Sequence, residues 1–144
     1  MNQLFRLTIL ILFLCSVSLK GQISFTQVPK EGAFLARDLN KNTARYDIEG
    51  IVTDPAYTTI TFEVYRNNYL ERTYRMNLQF LNGQAQFKRP ITLTAGKFTY
   101  SIKYILKGST VYSQQINNLM VGDVYLIQGQ SNSVANNFSG AGIH

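Results

Sequence analysis

The stretch Thr58-Thr59-Ile60-Thr61-Phe62-Glu63-Val64-Tyr65 changes from polar to apolar and back at nearly every step. Successive side chains of an extended chain point to opposite faces, so Ile60, Phe62 and Val64 share one face and Thr59, Thr61 and Glu63 the other. This is the pattern of a half-buried β-strand. Arg66-Asn67-Asn68 follows, and Asn tolerates the left-handed backbone of a tight turn, so Tyr69 to Tyr74 is expected to return as the partner strand.

The same period of two spreads in both directions. Phe98, Tyr100, Ile102, Tyr104 and Leu106 alternate with Thr99, Ser101 and Lys103, and Gly108-Ser109 is expected to turn this strand into Thr110 to Gln114. Upstream, Ser24 to Val28 and Thr43 to Val52 read as strands, the second with Tyr46, Ile48 and Val52 on one face and Gly50 marking a bulge. Asn82-Gly83 is a strong hairpin signal and is expected to join Asn77–Leu81 to Gln84–Lys88, with Pro90 limiting any strand that runs through it. About seven short strands at roughly ten-residue spacing define a mainly β fold, read as an antiparallel, immunoglobulin-like β-sandwich over residues 22–116. The nine Tyr and nine Phe mostly fall on inner faces, where they supply core volume. Tyr57, Tyr65 and Tyr69 are expected to be exposed.

Residues 1–21 read differently. Arg6 precedes an almost unbroken apolar run from Leu7 to Leu19, too short for a bilayer core that needs about 20 residues and suited to a secretory signal peptide. Cleavage is expected after Gly21, with Ser16 to Ser18 as a competing site. Cys15 follows the bulky Leu14 and does not read as a lipoprotein cysteine. The chain is therefore expected to be secreted or periplasmic, with no stable membrane insertion once the signal is removed. The only cysteine leaves with the signal, so no disulfide is expected and the core must hold by burial.

Fourteen basic and eight acidic residues give the whole chain a net charge of +6. Without Arg6 and Lys20 the balance is 12 against 8, or +4. These charges are scattered, Lys88-Arg89 being the only adjacent basic pair, whereas nucleic-acid surfaces need a clustered stripe. No nucleic-acid partner is expected. One histidine and dispersed carboxylates offer no metal-ligand set, so neither a metal nor another cofactor is expected.

The pattern changes at Asn117. Val121-Gly122-Asp123 leads into Val124-Tyr125-Leu126-Ile127, an apolar run suited to a strand buried on both faces of a parallel sheet. Gly129-Gln130-Ser131-Asn132 follows at once. A serine at the carboxyl end of such a strand stands where open α/β sheets place their ligand sites. Gly129 would allow a tight turn and close substrate approach, and the Ser131 N–H could face a developing oxyanion. Judged by spacing alone, Ser131 is as readily a turn or helix-capping serine.

The longer string, Val121-Gly122-Asp123-Val124-Tyr125-Leu126-Ile127-Gln128-Gly129-Gln130-Ser131-Asn132, resembles the start of the catalytic domain in the sialate O-acetylesterase-like branch of the SGNH hydrolases. There a β-sandwich commonly precedes the esterase domain. The resemblance implies that Ser131 is the nucleophile and a backbone oxyanion donor, that Gly129, Gln130 and Asn132 line the substrate site, and that the substrate is an acetylated carbohydrate. Ser133 stands where the family often has Met. Residues 117–144 are thus expected to begin an SGNH domain cut short before its catalytic His and acidic partner. His144, 13 positions beyond Ser131, is not expected to act as base, and Asp123 is expected to make a structural cap or turn contact. The parent protein is expected to be a serine acetylesterase and the 144-residue chain itself inactive. The alternative is a secreted β-sandwich module that binds glycan or protein without catalysis.

Overall fold

A computed structural model describes residues 23–125. Eight strands are present: β1 Ile23–Gln27, β2 Phe34–Ala36, β3 Thr43–Val52, β4 Tyr57–Arg66, β5 Tyr69–Asn77, β6 Ala85–Thr94, β7 Tyr100–Gly108 and β8 Val111–Gly122. No helix is found among the described residues, and thus none long and apolar enough to cross a membrane. The strands form two sheets, β1-β3-β6 and β2-β8-β7-β4-β5. All pairings are antiparallel except that of β2 with β8, which is parallel.

The inner faces of both sheets contribute to one core. Ile60, Phe62 and Val64 of β4 and Tyr100, Ile102, Tyr104 and Leu106 of β7 are buried, together with Ile48 and Val52 of β3 and Phe87, Ile91 and Leu93 of β6. The apolar faces expected of β3, β4 and β7 are therefore turned inward, although Thr59, Ser101 and Ile105 on the opposite faces of β4 and β7 are buried too. Phe25, Phe62, Phe87 and Tyr104 meet at ring-centroid distances of 4.9–5.9 Å across the interior. Phe98 packs against this core from the loop before β7, at the edge rather than inside it.

Turn chemistry explains the strand ends. Asn67 and Asn68 both adopt positive φ, closing β4 onto β5 as the Asn pair implies. Gly50 faces the bulge of β1 between Phe25 and Gln27, and a Cβ there would stand 2.5 Å from the Ser24 carbonyl oxygen and 2.6 Å from Phe87 Cζ. At the start of β7, the Tyr100 hydroxyl donates to the Thr94 carbonyl at 2.9 Å, tying the loop between β6 and β7 to the core.

Several expectations are corrected. Asn82-Gly83 does turn with positive φ, and Leu81 bridges Gln84, but the flanking segments do not form a hairpin. Residues after Asn77 cross to the other sheet, and β6 pairs along its whole length with β3. A tight turn sets only a local reversal; the longer register that buries Ala85, Phe87, Ile91 and Leu93 decides the partner. Pro90 lies within β6, opposite Asp47, because β6 is an edge strand and an edge tolerates a residue without an N–H. Tyr57, expected to be exposed, is 2% exposed while Tyr69 is 80% exposed; each opens its strand, but β4 is interior to the five-stranded sheet and β5 is its edge. Strand β2 carries no alternation long enough to read. Finally, β8 runs through Asn117 as far as Gly122. Leu119 and Val121 are buried in the shared core, so residues 117–122 belong to the sheet rather than to a following unit.

Candidate functional site

Gly129, Gln130, Ser131 and Asn132 lie outside the described residues, as do His144 and the leader at 1–21. What is described is the place from which the Gly-Gln-Ser-Asn string departs: the end of β8, flanked by β2.

Arg37, just after β2, organises this corner. Its backbone N–H donates to the Gly122 carbonyl at 2.9 Å. Its guanidinium donates to Asp123 in a fork, Nε to Oδ1 at 2.6 Å and Nη2 to Oδ2 at 3.0 Å, and Nη1 donates to Asn42 Oδ1 at 2.5 Å. Two parallel N–H···O bonds fix direction as well as distance. The hydrogen bond to Asp123 raises the guanidinium above its ordinary value. Asn42, itself at φ 53°, accepts from the Ala95 N–H through its carbonyl at 2.9 Å. The result is a closed polar network linking β2, the turn after it, the loop after β6 and the last residues of β8.

An open depression of about 450 Å³ lies here, walled by Phe34, Arg37, Asn42, Ala95, Gly96 and residues 121–123. The Phe34 ring sits over Gly122, where a Cβ would come within 2.8 Å of Phe34 Cζ. Gly122 and Asp123, singled out in the sequence only by resemblance, each thus have a local role: one makes room for an aromatic ring, the other completes an ion pair. Val124 and Tyr125, the described part of the expected doubly buried strand, are neither in a strand nor covered. A strand needs at least one paired neighbour, and among the described residues neither Val124 nor Tyr125 is paired.

Arg37 and Asn42 were not legible as site residues. Arg37 lies 86 positions from Asp123, and within Ala36-Arg37-Asp38-Leu39-Asn40 it reads as an ordinary polar turn.

The charged face of the three-stranded sheet offers little for a polyanion. Lys88 Nζ contacts Glu49 at 2.5 Å and Asp47 at 3.0 Å, and that contact holds the Asp47 carboxyl below its usual range. Arg89, its neighbour in sequence, turns to the other face and stands 5.6 Å from the centre of the Tyr74 ring. Alternation thus divides the only adjacent basic pair between two faces. Among the described residues no three His, Cys, Asp or Glu side chains are grouped to hold a metal ion.

Compared with family models, with curated proteins and with solved structures, the chain matches none.

Proposed function

We propose that this chain is the amino-terminal part of a secreted carbohydrate O-acetylesterase, with an immunoglobulin-like sandwich ahead of a serine-dependent catalytic unit. The observation that carries the reading is the string Val121 to Asn132, which resembles the start of sialate O-acetylesterase-like SGNH domains. The sheet order supports the sandwich half. Strands β8-β7-β4-β5 correspond in sequence order to a GFCC′ face and β1-β3-β6 to its ABE partner. Tyr100, at the start of the penultimate strand with its hydroxyl on a backbone carbonyl six residues upstream, has the form of a tyrosine corner. Ile102 stands two residues later, where disulfide-bearing members carry Cys, in keeping with a chain that holds itself by burial.

In this reading Ser131 is the nucleophile, its own N–H contributes to the oxyanion hole, and Gly129, Gln130 and Asn132 line the acetyl site. The base and its acidic partner would come from outside the described residues, since a hydroxyl without a positioned base is a weak nucleophile. The leader at 1–21 would direct the protein out of the cytoplasm.

The test is acetate release from acetylated sugars by the full-length encoded protein, its Ser131→Ala variant and its Ser133→Ala variant. Loss of a triad nucleophile costs on the order of a million-fold in turnover, so Ser131→Ala should fall to background while Ser133→Ala retains activity. Near-normal turnover in Ser131→Ala overturns the assignment. A parent protein that binds acetylated glycans but releases no acetate favours the binding module instead.

A further inference from the structure

Two arginines stand at positions that alternation assigns to the interior. Arg72 and Tyr74 of β5 lie opposite Val64 and Phe62 of β4, and Arg89 of β6 lies opposite Ile48 of β3. Val64, Phe62 and Ile48 are buried, and directly opposed residues share a face, so all three side chains start from the inner faces of the two sheets. β5 and β6 are the last strands of their sheets. The three groups therefore meet along one open side of the sandwich. The Arg89 guanidinium stands 5.6 Å from the centre of the Tyr74 ring, and hydrogen bonding to Tyr74 is what most raises the Arg72 guanidinium above its ordinary value.

Carboxylates do not balance this pair. Glu71 stands 3.6 Å from Arg66 and adds only a weaker attraction for Arg72. Among the described residues neither Arg72 nor Arg89 forms an ion pair. Arg89 is half-buried, and its Nε is enclosed with no hydrogen-bond partner. A charge that has lost part of its water without gaining an acceptor attracts an anion to its open end more strongly than a fully exposed charge does. A planar guanidinium also matches the oxygens of an oxyanion. The Tyr74 hydroxyl, accepting from Arg72, keeps its own proton to donate.

We propose that Arg72, Arg89 and the Tyr74 hydroxyl bind a single oxyanion group, of the carboxylate or phosphate class, at the open side of the sandwich between β5 and β6. A single group fits better than a polyanion, because Lys88 beside Arg89 faces away and is engaged by Glu49 and Asp47. The proposal goes beyond the esterase reading and does not rest on it.

The test follows the Arg89 Nε–H by nitrogen–proton NMR in the full chain, with sodium glucuronate, phosphate or chloride added at equal ionic strength. A saturable shift with glucuronate or phosphate, and none with chloride, is expected. Tighter glucuronate assigns the site to the carboxylate of an acidic sugar, tighter phosphate to a phosphate group. Arg72→Gln should weaken either ligand at least about tenfold, the value of one hydrogen bond to a charged group. Arg72→Lys keeps the charge without the fork and should recover only part of that loss. Arg45→Gln makes the same charge change on β3, at a side chain 70% exposed, and should leave affinity within about twofold. Absence of a saturable shift overturns the proposal, as does equal weakening by Arg45→Gln, which would reduce the effect to overall charge. The parent titration decides even if Arg72→Gln fails to fold. Acetate release has no part in these readings, so failure here and failure of the esterase assignment are distinguishable.

Discussion

Phe62 and Phe34 are phenylalanines in the same five-stranded sheet, yet their surroundings have little in common. Phe62 is fully buried, 5.9 Å from the Phe87 ring of the facing sheet, in a region where apolar side chains from β3, β4, β6 and β7 close on one another. Phe34 lies half-exposed over Gly122, in a corner held by N–H and carboxylate groups of Arg37, Asn42 and Asp123. Burial is non-directional and grows with area, so the interior carries the stability. Forked hydrogen bonds are directional and add little stability at a surface, so the corner carries orientation. Stability and orientation thus fall to separate parts of this small fold.

The largest effect should come from the interior. Phe62→Ala removes a side chain enclosed by both sheets and should cost about 3–5 kcal/mol, a large share of a small domain's total. Thermal melts of the full chain should show the cooperative transition lost or lowered by many degrees. An unchanged melt would mean that the two sheets do not share a core.

The next concerns alkaline pH. Burial pushes the Tyr104 phenol up to about 12, and Tyr100 and Tyr65 are also raised, the first by burial and the second by its hydrogen bond to Glu63. A raised folded-state value means that the unfolded chain loses its proton first. Stability from these groups is then intact below the ordinary tyrosine value of about 10 and is lost as pH climbs from there toward about 12. Melting temperature should fall over that window, and Tyr104→Phe should flatten the fall. A flat profile for the parent chain would show that Tyr104 is not enclosed.

Tyr100→Phe keeps the ring and removes only the bond to Thr94, leaving a carbonyl without its partner. The expected loss is about 1–3 kcal/mol, read from urea midpoints at unchanged slope. No loss would remove the tyrosine-corner support for the immunoglobulin-like assignment.

The smallest change in fold stability belongs to the corner. Arg37→Ala and Phe34→Ser should each leave the transition of the two sheets within about 0.5 kcal/mol. A collapse of the melt in either variant would make the corner part of the stability core.

The period-two pattern by itself determined most of the strands. Thr58 to Tyr65 and Phe98 to Leu106 place Ile60, Phe62, Val64, Tyr100, Ile102 and Tyr104 inside from sequence alone, because an extended chain has only two faces and water selects between them. The Asn67-Asn68 and Asn82-Gly83 turns were legible for an equally local reason, the tolerance of Asn and Gly for positive φ. The string around Ser131 was legible too, as a resemblance rather than a geometry. Pairing was decided only by the tertiary structure. That β6 joins β3 rather than its own neighbours, that three-residue β2 lies parallel to β8, and that Arg37 reaches Asp123 across 86 positions all depend on contacts between distant segments. Such contacts leave no period in the sequence, because each is fixed by the best burial or pairing available to the whole chain and not by the residues on either side.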